Sequence, residues 1–370
     1  MGTLSNEEVI AIQDAFTRLL QDKCTEQHVR AWMKERKGYD ADLWQAIAEM
    51  GITGLLVEEK FGGVDAGVMA AERVMEQAGS ALLGAPLLTS AIMSVTALQA
   101  SGDADAQARL LPQLASGESI ATLLMTSPQG DWTEHTIGIS ATKQGDTWQL
   151  TGSTGFVLHG RGADVWLAVA NTDSGPTLFE VSPTATGASC SQLPSFDHTM
   201  VMDQVNLSNT SATQVGEVGA GWQAVQQAID LGIIALAGEQ AGGAQRILDI
   251  TVEYAKIRHQ FGRQIGSFQA VKHMAADLVL EVESAVSAAR QAAAKADEHA
   301  EDAAEWRYLA GFACADAYTK TAADAVQMHG GIAFTWEHPA HLYLRRSRAN
   351  AQLFGTSDFY REQYLNTLGG

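Results

Sequence analysis

The sequence predicts an α+β chain, mostly helical, in three successive parts. Three observations predict it. Residues 1–120 repeat apolar side chains at helical spacing, residues 121–215 lose that period, and residues 216–370 regain it. In the first part, Ile12, Ala15, Phe16, Leu19 and Leu20 share one face, and Leu43, Trp44, Ile47 and Met50 share another. Asp40 is placed to cap the second of these helices.

From Gly138 to Ser182 short β-prone runs alternate with turn residues. The runs are Trp148–Leu150, Gly155–Leu158, Val165–Val169 and Thr177–Val181, separated by Gly145-Asp146, His159-Gly160 and Ser174-Gly175-Pro176. A small antiparallel β domain over 121–215 is expected. Beyond Gly221, Ala-rich stretches at Ser284–Ala300 and Ala303–Met328 suit packed antiparallel helices.

The formal charge of −19 leaves no basic face for nucleic acid. Cys24, Cys190 and Cys314 are odd in number, far apart and outside any CxxC, which suggests neither disulfides nor zinc and fits a reducing cytoplasm. Glu7 and Glu8 occupy the place of a basic leader region. The uncharged stretch Gln77–Gly102 is long enough to span a bilayer. It also carries Gly84, Pro86 and the polar residues Ser80, Thr89, Ser90, Ser94 and Thr96, so a buried helix pair broken at Pro86 is expected, with no membrane span.

The most informative stretch is Tyr254–Asp277, YAKIRHQFGRQIGSFQAVKHMAAD. Ile247, Ile250, Thr251 and Tyr254 continue a helix that Gly262 is expected to end, and Ser267 is expected to cap the next. Arg258 at that junction has two readings. It forks hydrogen bonds to a phosphate pair, or it caps the last carbonyls of its helix.

R-x-Q-F-G-x-x-I-x-x-F-Q-x-x-x-H-x-x-A-D resembles the flavin-binding segment of the acyl-CoA dehydrogenase family. Three further stretches resemble the family in order: LWQAIAEMGITGLLVEEKFGG from Leu43, LLPQLASGE from Leu110 and QMHGGIAFTWEHP from Gln327. The resemblance implies a C-terminal four-helix bundle, FAD, an acyl-CoA substrate and an electron-transfer flavoprotein as acceptor. It places Arg258, Gln260, Phe261, Gln269, Gln327, Gly330 and Gly331 against the adenosine diphosphate half of FAD, partly in a neighbouring subunit, and Thr356 beside the flavin. His329 needs no role in it and reads as a packed bundle histidine.

The ring side departs from the family. Phe156 stands where an aromatic covers the flavin, but Leu158 replaces a Thr hydroxyl, a loss of about 1 kcal/mol of hydrogen bonding. Met125-Thr126-Ser127-Pro128 replaces Thr-Glu-Pro, leaving Thr126 or Ser127 as donors. G-x-G-x-x-A at Gly219–Ala224 has no apolar parallel-type strand leading into it and no βαβ pattern around it, and is rejected as a dinucleotide site.

The family reaction needs a carboxylate to take the α-proton. Its usual position is Phe354 here, and its alternative position on the preceding helix is Gly232. Glu239, two turns beyond Gly232 and displaced by about 10 Å, is the remaining candidate, against its reading as a paired buried glutamate. Such a chain resembles the base-lacking subunit of heteromeric (α2β2) bacterial members acting on bulky, steroid-derived CoA thioesters. The alternatives are a self-sufficient homotetramer using Glu239, a non-catalytic structural subunit, or another flavin reaction.

Overall fold

The computed structural model describes residues 4–36, 39–145 and 147–369. Asp146, half of one expected turn, therefore lies outside the described residues. The first part comprises α1 (Asn6–Lys23), α2 (Glu26–Glu35), α3 (Ala41–Glu49), α4 (Val68–Ser80), a π-helical turn over Leu87–Ser94 that runs into α5 (Val95–Ala100), and α6 (Ala104–Ala115). Ser5 and Glu8 close a capping box on α1. The Asp40 carboxylate accepts the Leu43 N–H at 2.6 Å, as its position predicts.

The apolar stretch after α4 is buried throughout Leu87–Ser94. Pro86 heads that turn rather than breaking a helix, because α4 has already ended at Ser80. No helix among the described residues is long and apolar enough to cross a membrane.

The middle part holds β1 (Ala121–Leu124), β2 (Ile139–Gln144), β3 (Thr147–Leu158), β4 (Val165–Thr172), β5 (Gly175–Val181), β6 (Ala188–Gln192) and β7 (Met202–Val215). Strand order is β1-β4-β2-β3-β7-β5, with β6 beside β7. Because β4 also pairs with β5, strands β4, β2, β3, β7 and β5 close into a ring. The sheet is mixed, not purely antiparallel: β1 runs parallel to β4 from Ala121↔Val165 to Leu124↔Ala168. Two expected runs, Trp148–Leu150 and Gly155–Leu158, are one strand, β3, interrupted by register shifts against β7.

The last part contains α7 (Gly221–Ile257), a two-residue-per-strand hairpin of β8 (His259–Gln260) and β9 (Arg263–Gln264), α8 (Gln269–Asp297), α9 (Ala303–His329), α10 (Ala340–Asn350) and α11 (Ser357–Thr367). Helices α7, α8 and α9 pack on one another, α10 lies against α7 and α9, and α11 against α9. The small faces Ala285, Ala289, Ala292 and Ala310, Ala317 are buried between them.

Helix α4 completes the core by crossing α7 at backbone distance. A Cβ on Gly79 would stand 1.9 Å from the Glu239 carbonyl oxygen, and one on Gly242 would stand 1.7 Å from that of Glu76. The rejected Gly219–Gly221 motif docks on the sheet, with the Gly219 N–H donating to the Thr177 hydroxyl at 2.9 Å.

Candidate active site

Helix α7 ends at Ile257, five residues before Gly262. Phe261 and Gly262 instead form the two-residue turn of the β8–β9 hairpin, with φ of 53° and 79°. Positive φ at both positions is the type I′ arrangement that matches strand twist. Phe261 is 91% exposed at the tip. Its ring meets Phe268 edge-on, and the Arg263 guanidinium stacks on Phe268 at 4.0 Å. Ser267 does not cap α8; its hydroxyl donates to the Gln264 carbonyl, and the helix starts at Gln269.

Arg258 terminates α7 through its backbone, its N–H donating to the Tyr254 carbonyl at 2.9 Å. Among the described residues nothing bonds its guanidinium, so it is not a carbonyl cap. Gln260, Gln269 and Gln327 are likewise exposed, with side-chain amides unengaged among the described residues. Gly330 and Gly331 follow α9, also exposed, and a Cβ on either would meet no atom within 4 Å. The predicted cofactor residues thus form an open, unspent set of donors at one end of the C-terminal helices. Thr356 is exposed too, and its hydroxyl accepts the Phe359 N–H to cap α11.

The ring side is different in kind. The Thr126 hydroxyl donates to the Gly155 carbonyl and contacts Thr154 Oγ1 at 2.9 Å. The Ser127 hydroxyl accepts the Gln129 and Asp131 N–H groups and donates to the Asp131 carboxylate at 3.0 Å. Neither is left to meet a ligand. Leu158 is buried strand core, its carbonyl accepting the Thr122 hydroxyl.

Phe156 sits at a bulge of β3 with φ 54°, its ring against Gly130. Between these residues lies a cavity of about 20 Å³ walled by Trp132, Phe156, Leu158, Met93 and Phe354. Trp132 borders it and meets Phe354 edge-on, with ring centroids 5.0 Å apart. The other side of Phe156 faces an open cleft of about 410 Å³ with Trp132, Phe196, Arg348 and Leu353.

The three base positions are accounted for. Phe354 is 3% exposed and packed on Trp132. Gly232 is covered by Met93, whose sulfur would lie 3.2 Å from an added Cβ. Glu239 is buried and accepts from Arg346 Nη1 at 2.7 Å and Asn350 Nδ2 at 3.0 Å. Arg346, itself buried, also donates to Asp197 at 2.8 Å, to Thr199, and to the Leu83 carbonyl. Glu239 is therefore the paired buried glutamate of its second reading. Its carboxylate is committed to a guanidinium and an amide, which compensate its charge inside the protein.

Sequence reasoning did not find Trp132, Met93 or Arg346. Only Arg346 left a signal: it falls on the buried stripe of α10 with Leu342, Tyr343 and Asn350.

Two family models match this chain, the acyl-CoA dehydrogenase N-terminal domain over residues 6–118 and its C-terminal domain over 219–368. The chain belongs to the acyl-CoA dehydrogenase family. Acyl-CoA dehydrogenase IpdE2 of Mycolicibacterium smegmatis is 32% identical over 95% of both chains. Among solved structures, a variant of the Tcur3481–Tcur3483 steroid acyl-CoA dehydrogenase aligns with TM-score 0.88 at 28% identity over 98% of each chain. The ChsE4–ChsE5 complex of Mycobacterium tuberculosis aligns with TM-score 0.90 at 26% identity over 100% of this chain and 99% of that one.

As a member, this acyl-CoA dehydrogenase is an FAD-dependent flavoprotein oxidoreductase. Its residues fit the two halves of FAD unequally. The exposed Arg258 hairpin and the bare Gly330-Gly331 backbone suit a diphosphate and its adenosine. The ring half does not fit beside Phe354: the hydroxyls there are engaged and the cavity that Trp132 and Phe354 border measures only about 20 Å³.

Proposed function

We propose that this acyl-CoA dehydrogenase is the base-lacking subunit of a heteromeric (α2β2) enzyme that desaturates a bulky, steroid-derived acyl-CoA thioester. One observation carries the reading. Phe354 takes the place of the carboxylate and is packed on Trp132, while Arg258 stands exposed and unpaired among the described residues. A chain with no carboxylate of its own and a cavity of only about 20 Å³ beside Phe354 has a use for an open diphosphate set when another chain completes the site. The likeness to a steroid acyl-CoA dehydrogenase and to the ChsE4–ChsE5 complex supports the substrate class and the two-chain assembly.

In this reading the Arg258 guanidinium forks to the diphosphate, where two parallel hydrogen bonds fix its orientation. The Gln260, Gln269 and Gln327 amides and the Gly330-Gly331 backbone complete the grip, and Phe261 reaches into the interface. The partner contributes the carboxylate that takes the α-proton. Bound flavin supplies the hydride acceptor, and an electron-transfer flavoprotein carries the electrons away. Glu239 serves this chain as the counter-ion of Arg346.

The test is flavin content. The chain expressed alone is expected to purify without flavin absorbance, and co-expression with a neighbouring dehydrogenase gene restores it together with turnover. Arg258→Ala in that complex lowers FAD retention at least tenfold. Stoichiometric flavin in the lone chain, with turnover abolished by Glu239→Gln, overturns the proposal in favour of the self-sufficient enzyme.

A further inference from the structure

Gly330–Glu337 forms a loop whose two ends are held by one another. His329 ends α9, and its buried ring lies 4.3 Å, centroid to centroid, from that of His338. Tyr254, in the last turn of α7, closes the third side at 4.5 Å from His329 and 6.2 Å from His338. The loop between carries exposed Phe334 and Trp336 and is tied internally by Thr335 N–H to Ile332 O at 3.0 Å.

The hydrogen bonds assign the protons. His329 Nδ1 lies 2.8 Å from the Ala325 carbonyl, an acceptor only, so Nδ1 carries the hydrogen. Nε2 is then an acceptor, buried and without a hydrogen-bond partner among the described residues. His338 Nδ1 accepts the Ala340 N–H at 3.2 Å, so its hydrogen is on Nε2. The arrangement needs both rings neutral. Protonating His329 creates a buried donor with no acceptor, and protonating His338 turns an acceptor into a donor facing an N–H.

We propose that the His329–His338–Tyr254 stack is a proton-operated latch, which holds the Gly330–Glu337 loop closed at neutral pH and releases it in mild acid. The groups facing it act in opposed senses, the Ala325 carbonyl favouring charge on His329 and His338 opposing it. From α2, Glu26 favours charge on His338 and Arg30, the smaller effect, opposes it; from α10, His341 adds a further titratable ring beside them. Burial, the larger cause, lowers both His329 and His338 below the ordinary imidazole value. Each histidine also disfavours charge on the other. Release therefore falls below about pH 6.5, the ordinary imidazole value.

A consequence for cofactor retention rests on the proposed function, since Gly330 and Gly331 belong to the diphosphate set; the latch itself does not. The test uses the full chain without flavin: hydrogen exchange of the 330–338 peptide at about pH 7.5 and about pH 5, on either side of the imidazole range, corrected for intrinsic rates. Protection is expected to fall at least tenfold in acid. His338→Asn keeps an acceptor for the Ala340 N–H but cannot titrate, and is expected to remain protected at the lower pH. His329→Gln serves as the second variant and is read in the same way. Equal corrected exchange at both pH values, or an acid response unchanged in the variants, overturns the latch whatever the flavin result.

Discussion

Arg346 carries more of this structure than its place in the sequence suggests. It is buried with Asp197, Thr199, Glu239 and the Leu83 carbonyl, so that three other stretches of chain meet at its guanidinium. Replacing such a group of charges by apolar side chains is often tolerated, but removing one partner strands the rest. Arg346→Met leaves Asp197 and Glu239 as buried anions and is expected to cost about 3–5 kcal/mol. The shift of the urea midpoint at constant slope measures it, and a midpoint within error of the parent contradicts the role. Glu239 shows the limit of reading at this scale. Its burial follows from the apolar run around it, but its partner lies 107 residues away and only the fold brings them together. Asp40 is legible because its capping target, Leu43, is three residues on.

At the scale of elements, the strongly periodic helices are plain in the sequence, and the differences lie in boundaries and in polar strands. Strand β7, MDQVNLSNTSATQV, has too few apolar residues to announce itself, yet it pairs with β3, β5 and β6. Its β-branched and hydroxyl side chains suit a half-wet sheet. The Phe261-Gly262 turn reads as a helix end because a type I′ turn usually carries Asn-Gly, and here an exposed Phe takes the first position. The α4–α7 crossing depends on glycines whose meaning appears only in space. Gly242→Ala forces its Cβ onto the Glu76 carbonyl, so the helices must part and stability is expected to fall by about 1–3 kcal/mol or more. A lower Tm with unchanged helical circular dichroism is the expected result, and an unchanged Tm removes the contact from the account.

For the whole molecule, the buried side chains that titrate set the pH dependence of stability. Glu72, on α4 against α7, is 1% exposed and its carboxyl is pushed up to about 8, first by burial and then by Glu76, with Arg73 and Arg290 opposing. Between 4.5 and about 8 the folded chain keeps a proton that the unfolded chain has lost. Stability therefore falls as pH rises through that window, by up to about 1.4 kcal/mol per unit. Glu72→Gln is expected to flatten this slope and to stabilise the chain at the upper end of the window. Denaturant titrations of both proteins from about pH 5 to about pH 8 check it; parallel curves refute it. The family and its FAD chemistry are legible because the motifs are local and ordered along the chain. The shape of the ring site is only half legible. Phe354 and Leu158 can be read as substitutions, but Trp132 is so far from Phe354 in the chain that nothing local shows the two rings meeting.

The Arg346 cluster also bears on how the chain comes apart. Asp197 and Thr199 belong to the β-sheet segment, Glu239 and Arg346 to the C-terminal helices, and Leu83 to the N-terminal ones. The sheet segment and the C-terminal helices cannot part without stranding buried charge, and loss of the N-terminal segment takes a carbonyl acceptor from the guanidinium. The three parts should therefore melt together, as a single cooperative unit with one calorimetric peak, although the sequence reads as three successive domains.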